Sequence, residues 1–440
     1  MTMLQVDFIR EHPDVVKTKI AQKNKKPQLV DDFLAVDKQW RETTGKIDAM
    51  RFEQRKLGEQ KKIEEAKALK EDVKKLEEQI ATLESDRTKL LYQIPNLQFD
   101  DIPVGKSEDD NIVIRKWGEP TKFDFTPKDH MELGEALDII DTKKASEVSG
   151  ARFNYLKGEA ALLEFAIVQY VFSVLTNKEI IATIAKSVST GLSTNTFVPV
   201  VPPVMIRPEI YVRMARLDPG QEEERFHMPN DNLYLIGSAE HTLGPIHMDE
   251  IIDEKKLPIR YIGFSTAFRR EAGSYGKDTK GILRVHQFDK LEMESFSTPE
   301  TSRQEQDFFV AIQEYLLQGL KLPYQVISVC TGDMGGPDAR QIDMETWMPG
   351  QNRYRETHTS DLMTDYQSRR LNTKVRRQDG TTELVHMNDA TAFAIGRILI
   401  AILENYQQAD GSVLIPEVLQ KYLGLDKIER RNNLAIENRL

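Results

Sequence analysis

The chain has 440 residues, 40% hydrophobic and 30% charged, with a formal net charge of −10. That length excludes a single small module and allows two or three domains. A lone cysteine, Cys330, excludes a disulfide framework and a cysteine-based metal cluster and points to a reducing, cytoplasmic setting, while the acidic balance argues against a nonspecific nucleic-acid binder.

The opening MTMLQVDFIREHPD carries charges where a signal peptide needs an apolar run, so none is expected. Charge is uneven: residues 1–95 hold 20 basic and 18 acidic side chains, a balance of +2, and the remainder sums to −12. If nucleic acid binds, the N-terminal part is therefore the more favourable place for its phosphates. From Asp31 onward, Phe33, Val36, Trp40, Thr43, Ile47, Met50, Gln54 and Leu57 follow a 3-4 spacing. Gly58 and a highly charged stretch interrupt it. A second stripe follows at Val73, Leu76, Ile80, Leu83, Arg87, Leu90 and Ile94, stopped by Pro95. The two stripes predict an antiparallel helical hairpin over about 30–95, each helix ~40–55 Å long and projecting as an arm. A dimerising coiled coil or two helices of an ordinary bundle would show the same spacing. Gln54 and Arg87, polar at seam positions, would set the register.

Residues 96–106 read as a linker, followed by a short strand at 111–115. Residues 160–176 form an apolar helix that contains Glu164 and Gln169 and so reads as buried rather than membrane-spanning. The proline-bearing run 197–206 suits an edge or interface strand. Residues 261–268 and 283–293 read as strands joined by a charged, glycine-rich loop over 271–281. Further strands are expected at 325–331 and 341–347, and a helix with an apolar face at 392–406.

The segment 264–295, FSTAFRREAGSYGKDTKGILRVHQFDKLEMES, concentrates the chemistry. Alternate residues of a strand share a face, so Arg269 and Glu271 point together, as do Arg284, Phe288 and Glu292. Guanidinium forks suit phosphate oxygens, a phenyl ring stacks on a base, and carboxylates hold amines, as a nucleoside triphosphate would need. Salt-bridged strand residues at a surface would give the same pattern. Ser238 and Glu240, two apart on an expected strand, could clamp an ammonium or form a solvated strand end. Glu356 and Thr359 offer oxygens to a hard divalent cation. His358 and Asp361 lack a second histidine at ligand spacing for a transition metal. Arg397, early in an apolar helix, either pairs with a carboxylate or faces a ligand. The chain has no P-loop and no GxGxxG.

Together these segments resemble the seryl-tRNA synthetases of bacterial type, a class II aminoacyl-tRNA synthetase family, over essentially the whole length. FRREAGSYGKDTKGILRVHQFDKLE matches motif 2 and AIGRILIAILENYQQADGSVLIPEVL matches motif 3, with WMPGQNRYR at 347–355 as a further family signature. The resemblance implies an α+β fold. A tRNA-binding domain with a coiled-coil hairpin would occupy 1–105. A class II catalytic domain built on a mainly antiparallel sheet flanked by helices would occupy 106–440. Motif 1 would lie at about 160–206, motif 2 at about 261–293 and motif 3 at about 388–420.

It also implies roles. Arg269 would contact the α-phosphate and the serine carboxylate, Glu271 the adenine amine, and Arg284 the triphosphate tail. Phe288 and Arg397 would cover the two faces of adenine. Glu292 and Thr391 would recognise the serine hydroxyl, Ser238 and Glu240 would receive the ammonium and hydroxyl region, and Glu356 with Thr359 would hold Mg²⁺. The expected reaction is ATP-dependent activation of L-serine followed by transfer to the terminal adenosine of tRNA-Ser, and of tRNA-Sec, by a cytoplasmic homodimer. The hairpin would lean on the long variable arm of the tRNA, with Lys61, Lys62, Lys67, Lys70, Lys74 and Lys75 as candidate phosphate contacts. No separate anticodon-binding domain is expected after motif 3. Two departures stand out: Ser238-Ala-Glu240 where the family has Thr-x-Glu, and Thr357-His-Thr-Ser-Asp361 where it has Ser-Ser-Cys-Ser-Asn. A paralogue that loads a carrier protein would lack the hairpin. An inactive homologue would have lost Arg269, Glu271, Glu292 or Arg397, and all four are present.

Overall fold

The computed structural model describes residues 6–217, 220–272 and 281–430, so 273–280 of the expected 271–281 loop lie outside the described residues. The chain forms two compact units, one ending at Gln98 and the other beginning at Phe99.

The first unit contains helices α1 (Val6–Glu11), α2 (Pro13–Gln22), α3 (Gln28–Glu59) and α4 (Ile63–Gln93). The seam is the expected one: Phe33, Thr43, Ile47, Leu57 and Val73 are buried. Arg51 reaches Glu77 at 2.7 Å and Gln54 donates to the Ala66 carbonyl at 3.4 Å, so α3 and α4 run antiparallel. The break differs from the expectation. Gly58 remains helical, and Lys61, at φ +60°, reverses the chain. The Lys62 N–H returns to the Leu57 carbonyl at 3.0 Å, a left-handed cap normally signalled by glycine. The charged stretch after Gly58 therefore supplies the first turns of α4.

Arg87 does fix register, through a partner the spacing did not expose. Its Nε donates to Asp37 at 2.8 Å, and its guanidinium lies 4.9 Å from the Trp40 ring centroid. Arg10 of α1 grips the same carboxylate at 2.9 and 2.8 Å. Burial works against ionisation of Asp37, but Arg10 and Arg87 outweigh it and hold the carboxyl below its ordinary value.

The second unit is built on an eight-stranded sheet. Its strands are β1 (Ile112–Trp117), β2 (Val198–Val200), β3 (Ile259–Phe268), β4 (Gln287–Ser297), β5 (Tyr324–Ser328), β6 (Arg340–Met348), β7 (Arg353–Thr364) and β8 (His386–Ala394). They lie in the order β1-β5-β6-β7-β8-β4-β3-β2, and every pairing is antiparallel except β2 with β3. Proline-bearing β2 sits at an edge, as expected. Helices α5 (Glu159–Leu175), α6 (Ser302–Gly319) and α7 (Ile395–Asn405) pack into the same core, which joins Leu163, Ile167 and Val171 to Phe308, Phe309, Leu316, Ile398 and Leu399. Among the described residues no single helix is long and apolar enough to cross a membrane.

Three boundaries move. β4 begins at Gln287, so Leu283 to His286 form a turn before the strand rather than its start. Ala392 to Ala394 complete β8, and the apolar helix begins only at Ile395. β7 is a twelve-residue strand whose polar composition gave no apolar alternation to read.

Candidate active site

Strands β4 and β8 pair with Glu292 opposite Thr391, next to a bulge that leaves Ala392 of β8 unpaired. Across β3, Glu292 faces Gly263, where a Cβ would meet Leu243 at 2.7 Å; the glycine lets the short helix Glu240–Leu243 approach. On the other side, β7 and β8 stay paired only from Ser360 and Ala390 onward. At that fork the Gln313 amide of α6 donates to the Thr359 and Thr391 carbonyls, each at 2.8 Å. The strands then diverge and leave an open cleft.

Arg269, Glu271, Arg284, Phe288, Glu356, Thr359, Thr391 and Arg397 all line this cleft. Arg269 is held by its Nε on the Gly237 carbonyl at 3.0 Å, with its guanidinium 5.4 Å from the Phe288 ring centroid. Arg284, carried by the turn rather than by β4, is ion-paired with Glu271, which adopts φ +53°. Arg397 contacts the Glu356 carbonyl at 2.8 Å and its carboxylate at 3.1 Å. It therefore both pairs with a carboxylate and faces the cleft. Two arginines thus wait on acidic partners that a triphosphate would replace.

Glu292 and Ser238 are buried and do not line the cleft; they bond to Lys290, a lining residue that the sequence reading missed. Lys290 lies two positions from both Phe288 and Glu292, on the same face of β4, so strand alternation already contained the signal. Its buried Nζ sits 2.6 Å from Glu292 and 3.0 Å from Ser238 Oγ. Ser238 Oγ also donates to Glu292 Oε2 at 3.3 Å, and Thr391 Oγ1 donates to the same oxygen at 3.4 Å. Burial pushes the Glu292 carboxyl up to about 8; Lys290 opposes the shift, while the charges of Glu240 and Asp389 add to it.

Glu240 is not on a strand. It opens the short helix and is buried, 3.2 Å from His241 Nε2. Burial opposes its ionisation, but His241, Lys290 and Arg216 outweigh burial and place its carboxyl well below the usual range.

On β7, Glu356 is half-exposed, and Thr359 Oγ1 donates to Asp361 at 3.2 Å. Asp343 faces Thr359 across β6, and burial with the nearby Glu356 charge pushes its carboxyl up to about 8. Nothing in the sequence marks Asp343, because its place depends on a long-range pairing. Among the described residues no three acidic, histidine or cysteine side chains form a metal cluster. Glu356 and Thr359, both in the cleft lining, instead offer hard oxygens of the kind that fit a divalent cation shared with phosphates.

The departure at 357–361 acquires a physical reading. Burial raises the Asp361 carboxyl well above its ordinary value, and its Oδ1 accepts from Thr359 Oγ1. His358 is fully buried, its Nδ1 2.8 Å from Thr357 Oγ1, and burial lowers its pKa to about 3. The six candidate lysines lie in the first unit, where Lys62, Lys67 and Lys75 pair with Glu65, Glu64 and Asp72 one turn away.

A mainly antiparallel sheet with arginines just after β3, in the turn before β4 and at the start of α7 around one cleft is the architecture of the class II aminoacyl-tRNA synthetases, and the family model "tRNA synthetase class II core domain (G, H, P, S and T)" matches residues 225–406. The model "Seryl-tRNA synthetase N-terminal domain" matches residues 3–98. A serine–tRNA ligase from Dictyoglomus turgidum is 39% identical over 97% of this chain and 99% of its own. One from Acidothermus cellulolyticus is 41% identical over 96% and 99%. Among solved structures, seryl-tRNA synthetase from Pyrococcus horikoshii complexed with ATP superposes with a TM-score of 0.88 at 35% identity, covering 98% of this chain and 100% of its own. The cytoplasmic enzyme from Naegleria fowleri in complex with AMP gives 0.86 at 30%, with the same coverage. The chain belongs to the seryl-tRNA synthetase family.

Proposed function

We propose that the cleft activates L-serine with ATP to seryl-adenylate and then transfers the seryl group to the terminal adenosine of tRNA-Ser. The observation that carries this reading is the convergence of Arg269, Arg284, Phe288 and Arg397 on one cleft with Lys290 and Thr391, which bond to the buried Glu292 and Ser238. The first group suits a nucleotide and the second a small polar side chain.

In the first step a serine carboxylate oxygen attacks the α-phosphorus and pyrophosphate leaves. Two anions must meet, and Arg269 offsets their repulsion at the reacting centre while Phe288 stacks on adenine. Arg284 leaves Glu271 for the phosphate tail, and Glu271 is freed for the adenine amine. Arg397 leaves Glu356 in the same way and covers the other adenine face. Mg²⁺, held by Glu356 and Thr359, would supply charge neutralisation on the phosphates. In the second step a terminal ribose hydroxyl attacks the seryl carbonyl and AMP leaves. Glu292 and Thr391 read the serine hydroxyl, so an alanine side chain leaves buried polar groups unpaired. Glu240, ionised, suits the serine ammonium region together with Ser238.

Three further readings join this one. The α3–α4 hairpin engages the long variable arm of tRNA-Ser, and of tRNA-Sec, with the six lysines as phosphate contacts. Leu162 and Phe165 on α5, with Val198, Val201 and Met205, are exposed apolar side chains of the motif 1 region and support a homodimer. A cytoplasmic location follows the description of the Naegleria relative. ATP–pyrophosphate exchange tests the core: serine should support it, and alanine and threonine should not. Exchange with another amino acid in preference to serine would contradict the assignment.

A further inference from the structure

The nucleotide wall of the cleft rests on a buried pair that touches neither substrate. His130 opens the helix His130–Ala136 and is 5% exposed; Glu404, near the end of α7, is fully buried. Glu404 Oε1 lies 3.1 Å from both the His130 backbone nitrogen and its ring Nδ1, and Oε2 accepts from the Gly350 N–H at 2.9 Å. The carboxylate fixes the ring tautomer: Nδ1 carries the hydrogen and donates to Glu404, which leaves Nε2 as an acceptor. Nε2 then receives the backbone N–H of Ile282 at 3.4 Å.

The fit around that bond is close. Gly281 has φ +77°, and a Cβ there would stand 2.1 Å from His130 Nε2. A Cβ on Gly396 would stand 3.3 Å from the Ile282 carbonyl. Ile282 to Val285 line the cleft and include Arg284, which no strand holds.

We propose that the Glu404–His130 pair is the positioning device for the Arg284 segment, setting affinity for the ATP phosphates without contacting them. The inference rests on the cleft being the ATP site. Replacing His130 by phenylalanine keeps the volume and removes the acceptor. Glutamine places an amide near the Nε2 position and can restore it.

The test is ATP–pyrophosphate exchange with the full-length chain. H130F should raise the KM for ATP at least tenfold and leave the KM for serine within twofold, and H130Q should return the ATP value to within threefold of wild type. An unchanged ATP KM in H130F, or an equal rise in both KM values, would overturn the proposal. If H130F does not fold, G281A takes its place. The added methyl should displace Ile282 and raise the ATP KM alone, and an unchanged value there would also overturn the proposal. Absence of any serine-dependent exchange in the wild-type chain would instead refute the reading of the cleft.

Discussion

At the scale of single residues, the site is a set of charges held in readiness by one another. Arg269 is the exception among the arginines, since its described side-chain bond is to the neutral Gly237 carbonyl. Its guanidinium is therefore available where the carboxylate meets the phosphorus. Arg269→Ala should lower serine-dependent pyrophosphate exchange by about 10²–10³-fold, the usual cost of losing one transition-state donor; near-normal exchange would refute its role. Glu292→Ala should separate the substrates, raising the KM for serine at least tenfold while the KM for ATP stays within twofold. Equal effects on both would mean that Glu292 supports the sheet rather than reads serine. Much of this was legible from strand alternation, which placed Phe288 and Glu292 together. Lys290 was legible by the same rule and was passed over, because an isolated lysine on a charged strand looks solvated. Asp343 was not legible at all, since it comes opposite Thr359 only through the pairing of β6 with β7.

At the scale of elements, the hairpin was readable because its period is local: every seam position recurs within one or two turns. Its turn was not, because a left-handed lysine leaves no mark and Gly58 marked the wrong place. Asp37 was also hidden, since a carboxylate one position from the stripe looks exposed until Arg10 and Arg87 close on it. Asp37→Leu strands two partly buried arginines and should destabilise the first unit by about 3 kcal/mol, measured by denaturant unfolding of the full chain. The pH dependence follows from the depressed carboxyl. Its stabilisation is complete above the unfolded-state pKa of about 4 and is lost as pH falls through the lower folded value. The wild-type chain should therefore lose this increment under acid, and the variant should show no such loss. A loss of the same size in both would place the ion pair at the surface. Deleting residues 31–94 should leave adenylate formation intact and abolish tRNA charging; retained charging would deny the hairpin its role.

At the scale of the molecule, sedimentation should give a dimer, with Leu162, Phe165 and Val201 removed from water; a monomer would contradict the reading of the motif 1 region. On the proposed reading, the chain combines a serine-activating cleft with a helical hairpin that engages tRNA by its shape. The most direct measurement is serine charging of a tRNA-Ser transcript with and without its long variable arm. The account predicts charging that falls sharply when that arm is removed. Equal charging of both transcripts would contradict recognition by the hairpin, and charging of neither would contradict the assignment of the reaction itself.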